Sequence, residues 1–158
     1  MPFAPITVSN SVLRVAQRDG VAISPMKLQK ILYFLASEYY KDTHTVLISE
    51  PFQAWKFGPV LNSVYQQFKR FGAKSITEYG RDEDGDIFAV HNESNPTFAQ
   101  CLERVWGVTR DLTAAQLSKI THFEGSAWFQ TFTTGAQYID DARVGADCTY
   151  QDALDLAR

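Results

Sequence analysis

The sequence predicts an α+β fold that is mainly α: a single compact helical domain over residues 1–158 with a small antiparallel β-sheet. Three observations predict it. Apolar residues recur at helical spacing in several segments, the first carrying Val8, Val12, Val15 and Ala16. Between the helical segments lie one aromatic-rich extended run, Phe52 to Phe57, and one Asp84-Gly85 turn between short β-prone stretches. No internal repeat, low-complexity tract or long Gly/Ser linker divides the 158 residues. A domain of this length buries roughly 70% of its unfolded surface and needs no metal or disulfide to hold it.

The elements follow in order. The first helix ends at Gly20, a natural residue to follow a helix C-terminus. Ser24-Pro25 opens the second, with Ser24 as N-cap and Pro25 at the first helical position. Leu28, Ile31, Leu32, Leu35 and Tyr39 form its core stripe, while Tyr33, Phe34 and Ala36 fall off it. A helix apolar nearly all round is central and covered on several sides. Gly58-Pro59 is read as breaking the strand, with Pro59 starting a third helix that carries Leu61, Val64, Tyr65 and Phe68 and ends at Gly72. Asn95-Pro96 starts a helix bearing Phe98, Cys101, Leu102, Val105 and Trp106. Thr113 with Gln116 forms a capping box for a helix through His122, and Ser126 to Phe132 reads as a short helix with Trp128 and Phe129. Thr149 with Asp152 is expected to cap a last helix running to the C-terminus.

Composition narrows the functional classes. Net charge is −3, which argues against nucleic acid as the main partner, since that binding rests on clustered Lys and Arg; a basic partner would be electrostatically welcome. The aromatic share of 13% suits both a core and an interface hot spot. Cys101 and Cys148 stand alone, without C-x-x-C spacing, and read as thiols of a cytoplasmic protein. Met1 to Val8 lacks the pattern of a signal peptide. The longest apolar run, Ile31 to Ala36, is far below the roughly 20 residues that span a bilayer, so no membrane association is expected.

Catalysis finds no residue set to stand on. His44, His91 and His122 have no partner at ligand spacing, and H-E-x-x-H, G-x-S-x-G, P-loop and G-x-G-x-x-G patterns are all absent. His122 sits at a helix end, where an imidazole commonly serves the last carbonyls. The acidic turn Arg81 to Asp86 lacks the spacing of a calcium loop and reads as a solvated turn, so neither metal nor cofactor is expected. Lys27, Gln29 and Lys30 lie where a helix-turn-helix would make base contacts, but their helix is apolar through its middle and the chain is acidic.

Three stretches taken together carry a resemblance. They are Ile23 to Phe34 with its Lys27-Leu28-Gln29-Lys30-Ile31-Leu32-Tyr33-Phe34 core, Phe52 to Val60 followed by Val64-Tyr65, and Leu117 to His122 with Trp128 downstream. In this order they resemble the Panacea domain, the SocA-like or phage-associated antitoxin family, over about residues 8 to 143. The resemblance implies a non-enzymatic binding module that neutralises a cognate protein toxin encoded by an adjacent gene. Toxins paired with such domains are unrelated to one another and include alarmone-synthetase-like ones. A branch of the family acts instead as an adaptor delivering its toxin to a protease, and a prophage regulatory module is a further reading. The sequence departs from the family pattern at Ala127, where a Pro before the Trp is common, and matches poorly from Gly145 onward.

The motif residues also have a reading of their own. Lys27 and Lys30 are expected on a polar face of the second helix, which makes them, with Tyr33, Trp55 and Lys56, the candidate partner contacts. Ser24, Pro25, Leu28, Gly58, Pro59, Tyr65, Thr121, His122 and Trp128 are the motif positions read as structural. For Trp55, Gly58 and Pro59 packing is the commoner use of such residues, with direct contact as the alternative. The leading expectation is an antitoxin; an enzyme acting on a nucleotide or peptide is the contrasting one.

Overall fold

The computed structural model describes residues 1–158, and its organising element is the second helix. Helices α1 (Pro5–Asp19) and α2 (Pro25–Thr43) are followed by strands β1 (Gln53–Trp55) and β2 (Gly58–Val60), then α3 (Asn62–Phe68) with a 3-10 turn at Lys69–Phe71. Helices α4 (Pro96–Thr109), α5 (Ala114–Thr121), α6 (Ala127–Thr133) and α7 (Asp141–Ala146) complete the chain. Helix α2 packs against α1, α3, α4, α5, α7 and β2. Leu28, Ile31, Leu32, Phe34 and Leu35 are each fully buried, so its all-round apolar middle is used on all sides. Thirty-three buried apolar residues form one cluster around it. No helix is long and apolar enough to cross a membrane.

The helix boundaries follow from local chemistry. The Ser24 hydroxyl accepts from Lys27 N, and Pro25 takes the first turn, where its missing N–H costs nothing. Thr113 and Gln116 form the reciprocal capping box of α5. Gly20, at φ +67°, closes α1 in the left-handed conformation that glycine adopts without a Cβ penalty.

The strand reading requires a correction. Gly58-Pro59-Val60 does not break the sheet; it is the second strand, antiparallel to β1 with Trp55 opposite Gly58 and Gln53 opposite Val60. Lys56 and Phe57 form the two-residue turn, and Leu61 rather than Pro59 is the N-cap of α3. On its other side β1 takes Ala54 N–H to Gln137 O (2.8 Å) and Ile139 N–H to Phe52 O (2.8 Å). The Asp84-Gly85 turn forms, with Gly85 N–H donating to Asp82 O (3.0 Å), but the runs beside it do not pair as strands. Their backbone is claimed elsewhere. Asn10 of α1 bonds Gly80 O (2.9 Å) and Phe88 O (2.8 Å), Val90 N–H donates to Ser11 Oγ (2.8 Å), and Ile76 N–H donates to Ile23 O.

The C-terminal helix expected from Thr149 is also absent. Asp147 Oδ1 accepts from Thr149 N, and residues 149–155 form successive turns held against α2. The holding group is Glu38, fully buried, which accepts from Tyr150 OH, Gln151 Nε2 (3.0 Å) and Arg158 (3.0 Å) and lies 3.5 Å from Arg104. Burial pushes the Glu38 carboxyl up, but the Tyr150, Gln151 and Arg158 donors outweigh it and leave it below the ordinary value. Cys101 is buried and Cys148 exposed, both as free thiols, and burial pushes the Cys101 thiol up to about 12.

Candidate partner-binding site

The three motif stretches converge on the β1–β2 hairpin, and what joins them is a set of backbone carbonyls. Trp128 Nε1 of α6 donates to Trp55 O at 2.6 Å. His122 Nε2, at the end of α5, faces Lys56 O at 3.2 Å, and Ser118 Oγ donates to Phe57 O at 2.8 Å. From α2, Lys30 Nζ donates to Pro59 O at 3.2 Å. A two-residue turn with no Gly or Asn in it is thus held by side chains from three helices, which fixes its direction.

Lys30 is 1% exposed and has no carboxylate partner; burial lowers its ammonium to about 7. Gly58 lies directly over it. At φ +120° the residue occupies a region that L side chains rarely adopt, and a Cβ there would stand 2.8 Å from Lys30 Nζ and 2.9 Å from Thr121 Oγ1. Thr121 Oγ1 itself donates to Ser118 O (2.6 Å), and His122 Nδ1 faces the same carbonyl at 2.5 Å. The His122 ring packs on Trp128 with centroids 3.9 Å apart, and Trp128 stacks on Phe132 at 4.7 Å.

Three of the five residues expected at a partner surface are therefore covered by the fold itself. Lys27 is 8% exposed, and its Nζ donates to Arg110 O, the carbonyl that closes α4. A cation there meets the negative end of the α4 dipole, which explains a lysine at the unfavourable N-terminus of α2. Lys30 serves Pro59 as described. Tyr33 is 1% exposed and donates its hydroxyl to the Asp147 carboxylate, with its ring against Phe52 at 5.5 Å. Their polar ends point at acceptors inside the domain, so they form no solvated face.

The other two are accessible. Trp55 is half-buried and meets Tyr65 edge-on at 4.9 Å, and Lys56 is exposed at the turn with its ammonium over the Phe57 ring. Sequence reasoning missed Phe57, 61% exposed, and Tyr138, 55% exposed, on the same side of the molecule as β1. Large exposed aromatics beside a rigid hairpin are the usual material of an interface hot spot. In the sequence Phe57 is only the last aromatic of the extended run from Phe52; nothing local marks Tyr138, which reaches β1 through a bridge to Gln53.

Comparison with known proteins decides the family. The family model described as "Antitoxin SocA-like, Panacea domain" matches residues 28–129. The chain belongs to the Panacea-domain family of SocA-like antitoxins. Antitoxin SocA of Caulobacter vibrioides (strain NA1000 / CB15N) is 32% identical over 124 residues, covering 77% of this chain and 66% of that protein. The chain therefore spans just under two thirds of that relative's length. No solved structure matches. The matched part of this Panacea domain runs from Leu28 on α2 through the hairpin and α5 to Phe129, one residue beyond Trp128. It thus contains every side chain that grips the hairpin, whereas Tyr138 and the Glu38-bound C-terminal turns include chain beyond it.

Proposed function

We propose that this Panacea domain neutralises a cognate protein toxin by binding it directly, without catalysing a reaction. Family membership, with a relative named as an antitoxin, is the observation that carries the reading. The disposition of polar groups supports it. Lys30, Tyr33, Thr121 and His122, the motif residues with catalytic potential, are engaged with internal oxygens, while Trp55, Lys56 and Phe57 face outward on a fixed hairpin. The domain acts as one unit across residues 1–158, in the cytoplasm, where Cys101 and Cys148 stay reduced. The partner is a protein rather than nucleic acid, because a chain of net charge −3 lacks the cationic surface that phosphates require.

Coexpression tests this. The product of the gene adjacent to this one is expressed alone and with the domain; the expectation is growth arrest in the first case and growth in the second. The toxin persists as a complex if neutralisation is by occlusion, and disappears in a protease-dependent way if the domain delivers it for degradation. Arrest that the domain does not relieve would overturn the reading.

A further inference from the structure

Glu50 is a half-buried carboxylate that takes part in none of the ion pairs of the molecule. It lines an open cavity of about 390 Å³ together with Pro51, Gln53, Asn62, Ser63 and Tyr138. Its hydrogen bond within the domain comes from Ser63 N–H at 3.2 Å, which leaves most of its lone pairs free. The Ser63 hydroxyl beside it is buried and has no hydrogen-bond partner, the one such side-chain atom in the molecule.

One aromatic residue, Tyr138, lines the cavity, and the surroundings are acidic. Gln53 and Trp55 share one side of β1, with Trp55 Nε1 donating to Gln53 Oε1 at 3.0 Å. Asn62 and Tyr65 lie one turn apart on α3, and the Trp55–Tyr65 contact joins α3 to β1. Tyr138 stands on the other side, bridged to Gln53 through the backbone. Asp141 shares a narrow adjoining cleft with Glu50, and Asp140 precedes it; both are exposed and neither is ion-paired. Elsewhere Asp19, Glu38 and Asp42 are each matched by arginine.

We infer that this face docks a basic segment of the protein partner, one of whose arginine side chains enters the cavity to meet Glu50 beside Tyr138. Arginine fits the chemistry on each count. Its fork of donors answers a carboxylate at two oxygens, its plane stacks on an aromatic ring such as that of Tyr138, and its charge complements Glu50, Asp140 and Asp141. The inference rests on the antitoxin reading for the identity of the partner as a toxin, but not for the chemistry of the cavity.

Two measurements test it on the full chain. In a titration followed by amide and indole NMR, argininamide is expected to shift the Ser63 amide and the Trp55 indole N–H saturably. Citrullinamide, which keeps the α-amine but carries a neutral ureido group in place of the guanidinium, should not, and neither ligand should shift them in Glu50→Gln. Absence of a saturable argininamide response, or an equal response to citrullinamide, overturns the inference. Against the product of the adjacent gene, Glu50→Lys and Asp141→Lys should each weaken the complex about tenfold or more, with Glu50→Gln as the milder control for folding. Unchanged affinity in folded variants overturns the docking surface. If the parent chain fails to bind that product at all, the antitoxin reading fails instead, and the argininamide titration still decides the cavity.

Discussion

Gly58 and Lys30 occupy one another's space: a Cβ on Gly58 would lie 2.8 Å from the Lys30 ammonium, which itself donates to the next carbonyl, Pro59 O, at 3.2 Å. The absence of a side chain at one motif position is thus what lets a lysine at another reach the hairpin. Gly58→Val should destabilise the domain by about 2 kcal/mol or more, since it combines positive-φ strain with a clash. Thermal unfolding of parent and variant measures this, and an unchanged midpoint would show that the hairpin relaxes freely.

Lys30 should also give the domain a pH dependence of known sign. Its folded value of about 7 lies below the ordinary value of 10.5, so the unfolded chain binds more protons between those two values. Stability contributed by Lys30 is therefore low at neutral pH and rises toward pH 10.5, by at most about 1.4 kcal/mol per pH unit. Lys27 and Lys41 are lowered too, in each case first by burial, so the comparison must be with Lys30→Met rather than the parent alone. In denaturant titrations across this window, the parent should gain on Lys30→Met as pH rises. A constant difference would mean that Lys30 keeps its charge in the fold.

Trp128→Phe keeps an aromatic ring against His122 but removes the donor to Trp55 O. Leaving that carbonyl without its donor should cost about 1–3 kcal/mol and loosen the hairpin selectively. Hydrogen exchange reads the second effect: amides of residues 53–60 should exchange faster while those of α2 hold. Equal protection throughout would place the hairpin's restraint in Lys30, Ser118 and His122.

Glu38→Ala should cost about 3 kcal/mol, because it leaves the buried Tyr150 and Gln151 donors without their acceptor and Arg104 and Arg158 with Asp42 alone. The expected signature is local as well as global. Residues 148–158 should become susceptible to limited proteolysis well below the midpoint of unfolding, and resistance equal to the parent would contradict the anchoring role.

The helices were legible because their signals are local: Ser24, Ser126 and the Thr113–Gln116 box each satisfy a helix start with neighbours in sequence, and Pro96 marks the first turn of α4. The resemblance likewise located the residues that meet at the hairpin. What the sequence withheld depends on distant acceptors. Lys27 and Lys30 look like a solvated pair until Arg110 O and Pro59 O, 83 and 29 positions away, are seen to receive them. The hairpin turn Lys56-Phe57 carries no turn chemistry of its own, because its geometry is imposed by Ser118, His122 and Trp128. The C-terminal segment looks helical by its Thr149–Asp152 spacing, yet Tyr150 and Gln151 are drawn to Glu38, 112 and 113 positions earlier.

The central claim, direct neutralisation of a protein toxin, is tested most directly by isothermal titration of the purified domain into the purified product of the adjacent gene. The account predicts a saturable complex, of submicromolar affinity on the order of that of a standard interface, formed without nucleotide, metal or any third component. A titration that shows only heat of dilution, with both proteins folded and the toxin active in a growth-arrest assay, would contradict it.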